Sequence, residues 1–534
     1  MPNLFIDDRE VEVPAGSTIL DACRVLDIHV PTLCFGRGYK HFTSCMLCVV
    51  LDRDSGKMLP ACSALALDEL DIETNSEAVR ASRRAALELL LSDHLGDCEG
   101  PCRRACPAHM NIPLMIRQIA GGALEQAIAT VKADIALPAV LGRICPAPCE
   151  KACRRRELDE PVSICLLKRF VADTDLAGAQ PFAPRRAAPS RKRVAVVGAG
   201  PTGLAAAYYL VQMGHGCALL DQQRAPGGAL RSAVPEWKLP RSVLDAEIRA
   251  IRALGVVFRL QTRVGKDVSI EELKDSYDVV VLAVGPLNAD AAGAFGIETT
   301  ERGLRVASGT GQTSDPRVFA GGGAVGPSRM AVRAVADGKR LATVIDRMLR
   351  TGAVEAPRKR FNSVIGRLKE EEKTRLREQA RRGPAVTPAG GHETGFTRAE
   401  ATDEALRCLH CDCRKPESCR LRRYAEEYEA KQARFKPAER RSFERLPDKT
   451  GIVFEQGKCI SCGLCVRITE KHEARLGLSF VGRGASTRIG VPFREPLHEG
   501  LEEAVWECVE NCPTGALTFS ESGQSERAKE GAHQ

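Results

Sequence analysis

Twenty-two cysteines stand in a chain of 534 residues, and most of them fall into tight groups. Clustered thiols in a sequence that opens without an export signal are expected to bind metal rather than pair as disulfides. The sharpest group is Cys34, Cys45, Cys48 and Cys62, spaced C-x10-C-x2-C-x13-C. Two close thiols on one loop, with a distant thiol on either side, can wrap a small inorganic cluster from several directions. The pattern favours an iron–sulfur site over zinc or a disulfide frame. The segments around it read as strand, hairpin and helix: residues 4–6, residues 11–13, then Ser17 capping a helix over 19–26. Cys23 sits inside that helix and reads as a small buried hydrophobe.

A chain this long normally divides into domains of roughly 100 to 200 residues. Its apolar fraction of 44% is ample for ordinary cores, whereas aromatics at 4% are too scarce for base-stacking surfaces, so no nucleic acid is expected as a partner. The net charge of +8 is spread among many acids and reads as a solvated face, which leaves room for an acidic protein partner. No run approaches the roughly 20 apolar residues that cross a bilayer, so no membrane insertion is expected. The first 13 residues alternate like a strand rather than a signal peptide, and the setting is read as reducing and cytoplasmic. Stretches 177–193, 351–360 and 383–395 look like linkers, and the polar tail after Ser520 reads as disordered.

A helix over 77–91 delivers the chain to a second group: His94, Cys98, Cys102 and Cys106, then Cys145, Cys149, Cys153 and Cys165. Between them the pattern predicts a helical segment over 112–132, with helix-stop chemistry at Pro138 and Pro146. Three residues between successive thiols place them on one side of a helical turn. These eight candidate ligands match the need of two cubane clusters.

A buried-strand signature over 193–197 runs directly into Gly198-Ala199-Gly200-Pro201-Thr202-Gly203 and an apolar helix over 204–212. A second strand, 217–220, ends in Asp221, where a ribose hydroxyl can be held. The glycines let the backbone approach a pyrophosphate, which the helix N-terminus attracts. Near the C-terminus, Cys408, Cys411, Cys413 and Cys419 form a compact C-x2-C-x-C-x5-C group after a helix over 399–406, suited to a cubane cluster or to structural zinc. Last come Cys459, Cys462 and Cys465, with a distant Cys512; Cys508 is surplus and reads as buried.

Two families are visible in these motifs. Residues 1–96, with "LDACR", "VPTLCF" and "SCMLCVV", resemble the N-terminal part of the large iron–sulfur subunit of respiratory complex I and its relatives in hydrogenases and formate dehydrogenases. "KCISCGLCVR", "GRGASTRIGVPF" and "CPTGAL" resemble a [4Fe-4S] module of the same subunit. From "CRRACPAHMNIP" through "RICPAPCEKACRR" to "VSICLLKRF", the chain resembles instead the cluster domain of the glutamate synthase small subunit and dihydropyrimidine dehydrogenase. Carried over by position, that resemblance groups Cys98, Cys102 and Cys153 for one cluster and Cys106, Cys145 and Cys149 for another. Cys165 lies close to the place of a last ligand.

The departures are equally informative. The opening C-x2-C of the cluster domain is absent, while "EALRCLHC" resembles that opening far downstream. His94 stands four residues before Cys98, as does a cluster-ligating histidine in the complex I relatives; the alternative is a helix-terminal histidine. "APGGALRSAVPEWKLPRSVLDAEI" resembles the flavin domain of the glutamate synthase small subunit, which implies FAD held by Gly198, Gly200, Gly203, Asp221, Gly228 and Gly322. The NADPH-binding insertion of that family is missing, and in "PRVFAGGGAVG" its usual Asp is replaced by Gly323.

The combined expectation is a multidomain α/β and α+β protein. It comprises a β-grasp [2Fe-2S] ferredoxin domain (1–75), a helical double-cluster domain (76–180), a Rossmann-like FAD domain (191–350), a linker with the four-cysteine motif (351–425), a ferredoxin-like [4Fe-4S] domain (426–520) and a disordered tail (521–534). Its cofactors would be one [2Fe-2S] cluster, three or four [4Fe-4S] clusters and FAD. The function implied is an electron-transfer subunit serving other redox subunits of formate dehydrogenase, hydrogenase or NADH-dehydrogenase type. The alternatives are a self-contained NAD(P)H-dependent oxidoreductase similar to the glutamate synthase small subunit, or a zinc-bound scaffold. No residue stands out as an acid–base catalyst.

Overall fold

A computed structural model describes the chain except for residues 40–42, 288–292, 294, 328–329, 380, 382, 436, 438, 449–450 and 521–534. The expected disordered tail therefore lies outside the described residues. The chain divides into two units, the first formed by Met1–Glu99, Arg360–Arg375 and Asp412–Gln534, the second by Gly100–Lys359 and Leu376–Cys411.

The first unit opens with a mixed five-stranded sheet in the order Arg9–Glu12, Asn3–Ile6, Asp71–Glu73, Val49–Asp52, Lys57–Pro60. Alternation sets the register of the first hairpin: Leu4 pairs with Val11 and both face the core, while Phe5 pairs with Glu10 on the open side. The helix Ile19–Val25 closes that core with Ile19, Leu20, Ala22 and Cys23. Thr18, rather than Ser17, caps it, because Thr18 and Asp21 form a reciprocal capping box. Farther along, Ile452–Phe454 pairs antiparallel with both Leu446–Pro447 and Leu517–Phe519, beside the helices Leu464–Lys471 and Val505–Asn511.

The second unit begins as a helical array and continues as a parallel sheet. The segment expected as one helix over 112–132 is two helices, Ile112–Ala120 and Leu124–Asp134, separated by Gly121 and by Gly122 at φ +74. Pro138 starts the helix Pro138–Ile144 instead of stopping one, since proline lacks only an N–H that the first turn leaves unpaired. The next two residues of that turn donate to the buried Glu247 carboxylate, Ala139 N–H at 2.7 Å and Val140 N–H at 3.0 Å. The sheet runs Val318–Ala320, Val279–Leu282, Arg193–Val197, Gly216–Leu220, Val257–Arg259, all parallel. Its central strands are continuous apolar runs because helices cover both faces. Against it lie Pro201–Gln212 and Ala331–Thr351, which meet at Gly338: a Cβ there would stand 2.4 Å from the Thr202 carbonyl oxygen.

Candidate redox centres

In the first unit, Cys34, Cys45, Cys48 and Cys62 are all buried beneath the loop ahead of Val49–Asp52. Their thiols bond one another: Cys45 and Cys62 donate to Cys34, and Cys62 also bonds Cys48. Those bonds hold Cys34 and Cys48 below the ordinary thiol range and push Cys45 and Cys62 above it. All four predicted ligands thus converge.

The next set was not anticipated in this form. Cys98 meets Cys413 and Cys419 within the first unit: the Cys413 N–H donates to the Cys98 carbonyl at 3.3 Å, and the charges of Cys98 and Cys413 bear on Cys419. The resemblance had grouped Cys98 with Cys102 and Cys153, which belong to the other unit. Ser363, wholly buried, wraps Cys98; its backbone N–H and Oγ stand 3.4 and 3.2 Å from Sγ. Cys419 caps the helix Arg420–Glu427, accepting the Arg422 N–H at 3.4 Å. Gly515 makes room for Cys413, since a Cβ there would lie 2.2 Å from its Sγ.

His94 completes this neighbourhood through Lys458. Its ring donates to the Lys458 carbonyl, and its other nitrogen, Nδ1, is buried without a hydrogen-bond partner among the described residues. Burial, then the Lys458 charge, pushes the imidazole down to about 4, so it is neutral at pH 7. Metal-ligating histidines characteristically donate the second ring N–H to a fixed acceptor in this way. The Lys458 ammonium pairs with the equally buried Glu455 carboxylate and feels the charge of Cys413.

Cys459, Cys462, Cys465 and Cys512 line one cavity, with Phe454, Leu464, Leu478 and Ile489 among its apolar walls. Cys508 is fully buried and aims its thiol at the Cys465 carbonyl, 3.7 Å away, as befits a core residue. Thr514 ties the Cys512 turn to the short turn Gln456–Lys458 ahead of Cys459, donating to the Lys458 carbonyl at 2.9 Å.

Two further sets stand in the second unit. Cys102, Cys153, Cys408 and Cys411 line a cavity walled by Pro113, Ile116, Val162 and Ile164. The structure thus places Cys408 and Cys411 in this cavity and Cys413 and Cys419 near Cys98. Cys106, Cys145, Cys149 and Cys165 form the other set; Cys165 bonds both Cys145 and Cys149, and Cys106 feels the charge of Cys145. Lys168 is buried beside them, Nζ 3.9 Å from Cys165 Sγ. Burial works against its ammonium, but Cys165, Cys145, Cys149 and Cys106 outweigh that and hold it above the ordinary lysine range. Lys168, Ser363 and Lys458 escaped sequence reading, because nothing in their spacing marks them.

Among the described residues no three His, Cys, Asp or Glu side chains are arranged around a single ion. Cys459, Cys462, Cys465 and Cys512, like Cys102, Cys153, Cys408 and Cys411, instead line walls of a space, which fits a cluster of several atoms.

The glycine turn has the form a pyrophosphate needs. Gly198 takes φ +103, where a Cβ would meet the Ala283 carbonyl oxygen at 2.4 Å, and Gly203 packs on the Gly198 carbonyl. Gly200, at the N-terminus of Pro201–Gln212, faces open space on the side where a Cβ would sit. Gly228 (φ +51) brings its backbone onto Gly200, and Gly322 (φ +64) sits on Thr202. Asp221 accepts the N–H of Ala199 at 2.6 Å and of Gln223 at 2.7 Å, so its carboxylate also braces the turn. At Gly323 a Cβ would meet Gly285 and Pro286 at 3.0 Å. The turn at Gly285 and Pro286 therefore crowds any side chain at position 323.

Residues 2–77 match the 2Fe-2S iron–sulfur cluster binding domain, residues 77–179 the 4Fe-4S cluster domain II of dihydropyrimidine dehydrogenase, and residues 168–338 the pyridine nucleotide-disulphide oxidoreductase family. Three domain family models thus match successive parts of this chain. It is accordingly a multidomain α/β protein with iron–sulfur domains and a pyridine nucleotide oxidoreductase domain. It is 42% identical over 206 residues to the NADP(+)-dependent formate dehydrogenase subunit beta of Moorella thermoacetica, covering 35% of this chain and 29% of that protein. It is 38% identical over 209 residues to the NADPH-Fe(3+) oxidoreductase subunit beta of Geobacter sulfurreducens, covering 38% and 30%. With the NAD-dependent dihydropyrimidine dehydrogenase subunit PreT of Salmonella typhimurium it shares 37% identity over 190 residues, covering 35% and 46%. The matches thus span less than half the length of each of these relatives. No described helix is long and apolar enough to cross a membrane.

Proposed function

We propose that this chain is an iron–sulfur flavoprotein electron-transfer subunit that works between a partner oxidoreductase and an acceptor. The observation that carries the reading is that the chain has five separate thiol sets, one of them with His94, and also a dinucleotide-type glycine turn. Cys34, Cys45, Cys48 and Cys62 would hold the [2Fe-2S] cluster. Four [4Fe-4S] clusters would be held by His94, Cys98, Cys413 and Cys419; by Cys459, Cys462, Cys465 and Cys512; by Cys102, Cys153, Cys408 and Cys411; and by Cys106, Cys145, Cys149 and Cys165. Gly198, Gly200, Gly203, Gly228 and Gly322 would seat FAD, with Asp221 bracing the turn.

When bound, the clusters supply one-electron carriers and FAD converts two-electron to one-electron transfer. The chain's own contribution is to bury the thiolates, exclude water around them and place hydrogen bonds and charges that set potentials. The sheet with Ile19–Val25 reads as a β-grasp ferredoxin domain, the helical array as a double-cluster domain, the parallel sheet as a Rossmann-like FAD domain, and the region around Cys459 as ferredoxin-like. The nature of the relatives, named as beta subunits of NADP(+)-dependent formate dehydrogenase and of NADPH-Fe(3+) oxidoreductase, supports other redox subunits as partners. Free thiol ligands fit a reducing, cytoplasmic compartment.

Iron, acid-labile sulfide and flavin measured in anaerobically purified protein test this reading. One [2Fe-2S] and four [4Fe-4S] clusters with one FAD are expected; a folded preparation free of iron overturns it. Rapid mixing with NADPH separates the second reading, a self-contained NAD(P)H oxidoreductase. Prompt bleaching of the flavin band by the isolated chain would favour that alternative.

A further inference from the structure

Lys168 is 4% exposed on the helix Ile164–Ala177, with Nζ 3.9 Å from Cys165 Sγ and within the electrostatic reach of Cys106, Cys145 and Cys149. Lysines are almost never buried without an anionic partner, because a lone ammonium in a dry interior loses its hydration with no return. Among the described residues no carboxylate lies within ion-pair distance of its Nζ, and its one hydrogen bond runs to Cys165 Sγ at 3.9 Å. The half-buried Glu150 accepts the Cys165 N–H at 2.8 Å and feels the Lys168 charge, but makes no ion pair with it. The thiol set is therefore the main source of negative charge for Lys168, with Cys165 Sγ in direct contact.

We infer that Lys168 is the buried counter-charge of an iron–sulfur cluster held by these four cysteines, and that it raises the reduction potential of that centre above what the thiolates alone would give. A fixed cation favours whichever redox state is more negative, and a cluster gains one unit of negative charge on reduction. Lys168 is a positioning residue: it touches a ligand sulfur and acts through it. The inference rests on the cluster reading proposed above.

The test uses the full chain, purified without air, with Lys168→Met and Lys168→Arg compared by EPR-monitored redox titration. Cys106→Ser identifies the signal of this centre by its loss. In Lys168→Met the midpoint of that signal should move to more negative potential while the others stay, and Lys168→Arg should bring it back towards the wild-type value. Loss of that centre's iron in Lys168→Met, with retention in Lys168→Arg, would equally show that the charge is needed. An unshifted midpoint in Lys168→Met with full iron content overturns the inference and leaves the cluster assignment standing. So does equal loss of iron in both variants, since shape and not charge would then be at stake. A Cys106→Ser protein that keeps every signal and all its iron instead removes the cluster assignment itself.

Discussion

His94 donates one ring N–H to the Lys458 carbonyl and keeps Nδ1 buried without a partner among the described residues. An orphaned imidazole nitrogen is costly unless something coordinates it, and the fixed donor side chooses the tautomer that leaves Nδ1 free to bind a metal. His94→Ala should lose one cubane's worth of iron and sulfide, and His94→Cys should retain it with an altered EPR signal. Iron analysis with low-temperature EPR checks both; full iron content in His94→Ala would rule the ligand out.

Cys408 and Cys419 stand eleven positions apart in the sequence, but Cys408 lines a cavity with Cys102, Cys153 and Cys411, whereas Cys419 lies near Cys98 and Cys413. Cys408→Ser should abolish the same EPR signal as Cys102→Ser, and Cys419→Ser the same signal as Cys98→Ser. Combining Cys408→Ser with Cys102→Ser should add no further loss, whereas combining it with Cys419→Ser should remove two centres. Identical spectra from Cys408→Ser and Cys419→Ser would mean that the motif is one site after all.

This division explains what could be read from sequence. Wherever ligands are local, as in Cys34 to Cys62 or Cys459 to Cys465, spacing alone carried the grouping, because a short loop fixes which sulfurs can meet. The glycine turn was legible for the same reason: strand, turn and helix lie within twenty residues, and Gly198, Gly200 and Gly203 each have a steric role there. Cys98, Cys413 and Cys419 were not legible as a set, since more than three hundred residues separate their segments and only tertiary packing selects among equivalent thiols. Nor was the crowding at residue 323: the glycine was visible, but the turn at Gly285 and Pro286 that presses on it belongs to a distant segment. Ser363 falls in the segment 351–425 expected as a linker with the four-cysteine motif, yet it is wholly buried against Cys98.

Gly338 lets the helix Ala331–Thr351 approach the turn that would hold the flavin diphosphate. In Gly338→Ala the new methyl would stand 2.4 Å from the Thr202 carbonyl oxygen and 2.8 Å from Ala205 Cβ, so the helices must separate. Overpacking of this kind costs about 1–3 kcal/mol, and a displaced Thr202 disturbs the neighbouring Gly322. A lower melting temperature and reduced flavin per chain are expected, with the EPR signals of the first unit unchanged. Thermal unfolding and flavin quantification measure this, and a variant with wild-type stability would mean that the helices have slack.

The first unit also carries an acid-sensitive fastening at Glu372. Its side chain is wholly buried, pairs with Arg440, and accepts the N–H of Phe443 at 2.6 Å and of Lys369 at 2.7 Å. Burial alone would raise its pKa, but Arg440 and the two N–H groups outweigh burial and hold it below the usual 4.5. For a depressed carboxylate the folded state binds its proton less tightly than the unfolded one. The stabilisation is therefore complete above pH 4.5 and fades as the pH falls through the lower folded value. Glu372→Gln keeps the shape but removes the charge, and should lose about 1.5–3 kcal/mol at neutral pH, the worth of hydrogen bonds to a charged group. The melting temperatures of wild type and variant should differ most near pH 7 and converge as the solution is acidified below 4.5. A gap that stays constant over that range would assign the effect to packing rather than to the ionised carboxylate.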